Sequence, residues 1–109
     1  MDLRKCAVIG CGNVGATTAF SLMKSGLFSE IVLIDINRER ALGEAADLNH
    51  AMPFLSPARI FAGDYRDLSD AGLIILAAGA AQKPGETRID LVRKNTSIFA
   101  LILEEVCRY

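Results

Sequence analysis

Cys6-Ala-Val-Ile-Gly10-Cys-Gly12-Asn-Val-Gly15 is the stretch on which the fold turns. Its first four residues are an apolar run ending at glycine, which reads as a buried strand. From Asn13 to Ser25 the period becomes helical: Val14, Thr18 and Leu22 recur every four residues, with Ala19 and Met23 beside them. Gly26 stands where a helix C-cap glycine belongs. The three glycines of the turn fit G-x-G-x-x-G, a weak signal alone in a chain with nine glycines. The context makes it specific, because Asp35 ends the next apolar run twenty residues beyond Gly15.

Each part of this arrangement has a physical task. Gly10 permits the tight turn, Gly12 lets backbone approach a pyrophosphate without a Cβ clash, and Gly15 lets the helix pack closely on the strand. The N–H groups of Asn13 and Val14, together with the helix dipole, attract phosphates. Asp35 is placed to accept hydrogen bonds from a ribose diol, and its charge repels a 2′-phosphate, which favours NAD over NADP. Arg38 and Arg40 pull the other way, since either offsets that repulsion. The plain alternative is a tight turn with a capping aspartate and no ligand, and the joint spacing argues against it.

Outward from this unit the pattern continues. Glu30-Ile-Val-Leu-Ile34 is β-branched and nearly all apolar, the mark of a strand covered on both faces. Asn37 is suited to cap a second helix running to about Asn49, with Pro53 stopping it. Ala58-Arg-Ile-Phe-Ala62 reads as a third strand and the polar stretch from Gly63 to Asp70 as a connection. Leu73-Ile-Ile-Leu-Ala-Ala78 is the most apolar run and is expected to be a central strand. Gln82 to Gly85 reads as loop. A long helix is predicted from about Thr87, where Thr87 and Asp90 have capping-box spacing, with Val92, Thr96, Phe99, Leu103 and Val106 as its buried stripe.

The order βαβαββα predicts an α/β fold, a Rossmann-type, mostly parallel sheet with helices on its faces. Leu103 to Tyr109 carries no terminating glycine or proline, and the fourth strand has no later strand to shield its far side. The expectation is therefore an incomplete fold of about the first four strands. Residues 1–109 are read as a partial dinucleotide-binding domain, with a carboxy-terminal catalytic domain absent.

Composition bounds the rest. The 109 residues suffice for one small domain, and 51% hydrophobic content excludes a disordered chain. Twelve basic against thirteen acidic residues leave a net charge of −1, without the basic stripe of a nucleic-acid binder. No apolar run approaches the ~20 residues of a membrane helix, and the start lacks the features of a signal peptide. Cys6, Cys11 and Cys107 are odd in number and lack metal-ligand spacing, so reduced thiols, no metal and a cytoplasmic protein are expected. Cys6 and Cys11 read as core filler rather than redox centres.

A second loop, Ala77 to Arg88, follows the fourth strand and faces the same crevice, since ligands in open α/β sheets lie beyond the carboxyl ends of strands. It offers a neutral amide (Gln82), a Pro-Gly pair suited to a hinge, and a guanidinium (Arg88). Arg88 either closes over a cofactor to polarise a substrate carbonyl or is a solvated surface residue. The residues alone leave both open.

Gly79-Ala-Ala-Gln-Lys-Pro-Gly-Glu-Thr-Arg88 followed by Ile-Asp-Leu-Val-Arg-Lys-Asn95 closely resembles the active-site loop of bacterial L-lactate dehydrogenases. Gly10 to Gly15, Val32-Leu-Ile-Asp35 and Asp47-Leu-Asn-His-Ala-Met-Pro-Phe54 are similar to the same family, so the resemblance spans essentially the whole chain. It implies that Gln82 selects substrate, where malate dehydrogenases carry arginine. Malate's second carboxylate wants a positive partner, whereas lactate's methyl group would leave a buried charge unpaired. It implies that Arg88 polarises the ketone of pyruvate, that Gly79 and Ala80 line NAD, and that Arg40 and Tyr65 lie near the adenosine half. The last two have ordinary alternatives as a solvated helix residue and a core-covering loop residue.

The implied partners are a small-molecule substrate (pyruvate or L-lactate) and NAD, with no nucleic acid and no membrane, in a homo-oligomeric full-length protein. The family's proton-relay histidine, the aspartate that orients it and a carboxylate-binding arginine match nothing here and are expected beyond Tyr109. His50, the only histidine, matches a structural position at the end of the second helix. Residues 1–109 alone are thus expected to be inactive, keeping at most a weak site for the adenosine-diphosphate half of NAD. The other readings are a malate dehydrogenase of lactate-dehydrogenase type and a truncated nucleotide-binding module without turnover.

Overall fold

The computed structural model describes residues 2–51, 58–77, 84–85 and 87–108. Four strands, β1 (Asp2–Ile9), β2 (Glu30–Ile34), β3 (Arg59–Ala62) and β4 (Ala71–Leu76), form one parallel sheet in the order β3-β2-β1-β4. Helix α1 (Asn13–Ser25) joins β1 to β2 and α2 (Arg38–Ala51) follows β2. A 3-10 turn, Tyr65–Leu68, lies between β3 and β4, and α3 (Arg88–Arg108) comes last among the described elements. This is the Rossmann-type arrangement the sequence predicts.

The alternation of side chains along β1 and β2 builds a core on each face of the sheet. Cys6, Val8, Ile31 and Leu33 pack with Ala19 and Met23 of α1 and Ala41, Ala45 and Leu48 of α2. Ala7, Ile9, Val32 and Ile34 face the other way, onto Leu68, with Tyr65, Ile102 and Val106 against them. Residues 6–9 of β1 and 31–34 of β2 are apolar on both faces because both faces are covered there.

The capping signals are realised. Gly26 ends α1 at φ 70°, its N–H donating to the Met23 carbonyl. Asn37 Oδ1 accepts from the Arg40 N–H at 3.3 Å, opening α2. Asp90 N–H donates to Thr87 Oγ1 at 3.1 Å while Thr87 N–H donates to the Asp90 carboxylate at 3.3 Å. Pro53 lies outside the described residues.

Four expectations need correction. β1 starts at Asp2, not Cys6: its polar first half is held by backbone bonds, Asp2 N–H to Asp70 O and Ser29 N–H to Arg4 O, which carry no hydrophobic signal. Lys5 is buried there, paired with the Asp70 carboxylate, and that bond holds the Asp70 carboxyl below the usual range. β4 stands at an edge of the four-stranded sheet rather than at its centre, and its Leu73 is 42% exposed. On α1 the buried stripe is Gly15, Ala19 and Met23, leaving Val14 70% exposed. On α3, Val92, Thr96 and Leu103 are exposed, and Ile102 and Val106 are the residues packed on the core.

Candidate functional site

Passing out from β1 through β2 to β3, the chain returns to place β4 on the other side of β1. This reversal opens a crevice beyond the carboxyl ends of β1 and β4, where ligands bind in open α/β sheets. The strand ends are laced together: Gly10 N–H donates to the Ile34 carbonyl at 2.7 Å, and Ala77 N–H to the Ile9 carbonyl at 2.8 Å. A cavity of about 570 Å³ lies there, lined among others by Gly10, Gly12, Asp35, Arg40 and Tyr65. That volume is in the range of small-molecule and cofactor pockets.

The glycine turn has the geometry its sequence demands. Gly10 sits at φ 99°, a backbone region that disfavours side chains. A Cβ on Gly15 would lie 1.7 Å from the Gly10 carbonyl oxygen, so no other residue fits between α1 and the turn. Gly12 is different: among the described residues, a Cβ there would meet nothing within 4 Å. Its bareness therefore leaves free space above the turn, at the N-terminus of α1. Among the described residues no side chain caps that helix, and its first turn holds no acid. Asn13 and Val14 thus present backbone N–H groups and the positive end of a helix dipole beside an open space, a setting suited to phosphate oxygens.

Asp35 is the anchor of the opposite wall. Its side chain is only 7% exposed. One carboxylate oxygen accepts from the Cys11 N–H at 2.7 Å, the other from the Asn37 N–H at 2.8 Å. The acid thus ties the glycine turn to the start of α2. A carboxylate offers about four acceptor sites, so two remain for a diol. Arg40 approaches the same carboxylate at 3.9 Å. Tyr65 is half-buried, its hydroxyl pushed up by burial, with the charges of Glu105 and Asp35 adding to it. Burial raises the Cys11 thiol to about 11, so it stays protonated in the turn.

The cavity also gathers residues that the motif alone does not name. Ile36, fully exposed, and Ile98, Leu101 and Ile102 of α3 give it an apolar side fit for a planar ring. Glu105 and Asp64 add acid at its rim. The α3 contribution had a usable signal in the Ile98–Ile102 pair at i, i+4, with Glu105 one step beyond. Arg88 opens α3 with its side chain exposed, and is not among the cavity-lining residues. Gly79, Ala80 and Gln82 lie outside the described residues. His50 is exposed in the last turn of α2 and does not line the cavity. Among the described residues, no cluster of histidine, cysteine and acidic side chains is arranged to hold a metal, and no helix is long and apolar enough to cross a membrane.

Taken together, the crossover, the bare glycine turn and the fixed acid define a dinucleotide-binding domain. Comparison with known proteins narrows that class. Residues 4–109 match the family model for the lactate/malate dehydrogenase NAD-binding domain. The chain is 55% identical over 107 residues to an L-lactate dehydrogenase of Acetivibrio thermocellus, covering 98% of this chain and 34% of that protein. Among solved structures, the minor L-lactate dehydrogenase of Enterococcus mundtii superposes with a TM-score of 0.93 at 42% identity, over 96% of this chain and 34% of that one. A malate dehydrogenase of Cryptosporidium parvum gives 0.88 at 35% identity, over 99% of this chain and 35% of that one. The chain therefore belongs to the lactate/malate dehydrogenase family, as its NAD-binding domain, and spans about a third of the length of these relatives.

Proposed function

We propose that residues 1–109 are the NAD-binding part of a longer L-lactate dehydrogenase, which interconverts pyruvate and L-lactate. One observation carries this reading. Asp35 is fixed at the cavity wall with acceptor sites to spare for a ribose diol, beside a bare helix N-terminus, in a chain 55% identical to an L-lactate dehydrogenase. The nicotinamide cofactor supplies the hydride. This chain's residues hold and orient: Gly12, Asn13 and Val14 receive the pyrophosphate, and Asp35 receives the ribose. Arg40, Tyr65, Gly79 and Ala80 line the cofactor.

Arg88 polarises the ketone of pyruvate. It follows the Pro84-Gly85 pair, which is suited to a hinge, and Gly85 holds φ 80°, a state that glycine adopts without strain. Gln82 selects substrate, its neutral amide accepting a methyl group where a cation would be left unpaired. Delivering a proton to the ketone oxygen is typically worth ~10²–10⁴-fold in rate. His50 does not line the cavity, and the likeness to L-lactate dehydrogenases implies that the donor histidine, its aspartate and the carboxylate-binding arginine come from sequence beyond residue 109. The 109 residues alone are inactive on this reading. The full-length protein is a cytoplasmic homo-oligomer that regenerates NAD by reducing pyruvate at the fermentative end of glycolysis.

A malate dehydrogenase of lactate-dehydrogenase type is the second reading, favoured by the likeness to the Cryptosporidium parvum enzyme and opposed by Gln82. The rates of NADH oxidation by the full-length protein with pyruvate and with oxaloacetate decide between them. Pyruvate is expected to be preferred, and Gln82→Arg to move the preference toward oxaloacetate by about a hundredfold. A native preference for oxaloacetate would overturn the assignment.

A further inference from the structure

The two arginines at the adenosine end of the cavity are not equivalent. Arg38 and Arg40 both line it, together with Asp35 and Asp64. Arg40 reaches toward Asp35 at 3.9 Å. Arg38 instead turns to Asp64, Nη1 to Oδ1 at 3.2 Å, with both side chains more than half exposed. Asp64 opens the 3-10 turn: its backbone carbonyl accepts from the Asp67 N–H at 2.9 Å, and its own N–H donates to the Asp67 carboxylate at 2.8 Å. Arg66 adds a second cation at 3.6 Å. An acid at the cavity rim thus engages one of the two guanidinium groups that line the cavity.

We propose that Asp64 is a second determinant of NAD over NADP, acting by withholding Arg38 from a 2′-phosphate. This deepens the NAD-binding reading and rests on it. The division of labour follows from the geometry. Asp35 discriminates directly, by charge next to the diol, but it is also the clasp between Cys11 and Asn37. Its replacement therefore disturbs the turn along with the selectivity. Asp64 acts at one remove, and an asparagine there leaves both backbone bonds of the turn in place while removing the charge that engages Arg38. An exposed ion pair is weak, so releasing it costs little stability. A freed guanidinium makes charge-assisted bonds to phosphate.

The test is titration calorimetry of NAD and NADP on the full-length protein, with thermal melting as a fold control. Asp64→Asn is expected to tighten NADP binding about three- to fivefold while leaving NAD within about twofold. Adding Arg38→Ala to that variant is expected to abolish the gain. An unchanged NADP-to-NAD ratio in Asp64→Asn, with NAD still bound, would overturn the proposal and leave the NAD site standing. So would a gain that survives the loss of Arg38. Failure of the unaltered protein to bind NAD would instead overturn the dinucleotide reading, and the proposal with it.

Discussion

Asp35 shows how a single residue carries both fold and site. Its position was legible from the twenty-residue spacing to Gly15, because the acid must end the second strand to reach the ribose. Its bond to the Cys11 N–H was not, since nothing in the spacing shows which backbone group a carboxylate will meet. Cys11 and Cys6 illustrate the same limit from the other side. Composition assigns them to the core, and they are buried there. Burial pushes both thiols up to about 11 from an ordinary value of 9.0. An unfolded chain therefore ionises them before the folded one does. The stability they allow is complete below pH 9.0 and is lost as pH rises toward about 11. Chemical denaturation between neutral pH and pH 11 is expected to show that fall, reduced in a Cys6→Ala, Cys11→Ala variant. At neutral pH a thiol reagent is expected to modify Cys107, the exposed cysteine, ahead of both.

At the scale of elements, caps and ends were more legible than faces. Gly26, Asn37 and the Thr87–Asp90 pair mark boundaries because each satisfies backbone groups locally. The buried faces of α1 and α3 were read only in part. Ala19, Met23 and Val106 pack on the core as expected, but Val14, Val92 and Leu103 are exposed, since both helices carry apolar residues on more than one side. Which side is buried depends on the crossing against the sheet, a tertiary fact. For α1 the decisive contact is Gly15 on the Gly10 carbonyl, which holds the helix axis close to β1. Gly15→Ala is expected to cost about 2–4 kcal/mol or to abolish soluble expression. Gly43, within α2, has nothing within 4 Å of where a Cβ would sit. Gly43→Ala is expected to be neutral or to stabilise by about 0.5–1 kcal/mol. Urea unfolding of the two variants compares the same chemical change at a packed and an open helix position.

For the molecule as a whole, the parallel sheet followed from the alternation of strand and helix patterns. The open edge of β4 followed from the lack of a later apolar run among these residues. Its own apolar run, read alone, suggested a central place, because such a run reports that a strand is covered and not what pairs with its edge. The order β3-β2-β1-β4 is nonetheless the functional fact, as it opens the crevice that gathers the glycine turn, Asp35, Tyr65 and the apolar side of α3. The central claim is that this crevice receives NAD with its pyrophosphate over Gly12. Titration of NAD into the full-length protein and its Gly12→Ala variant tests it most directly. A Cβ at Gly12 would meet no atom of the described residues within 4 Å. We predict saturable NAD binding by the native protein and roughly tenfold or greater loss in Gly12→Ala at an unchanged melting temperature. Equal affinity in the two proteins, or no binding in either, would contradict the account.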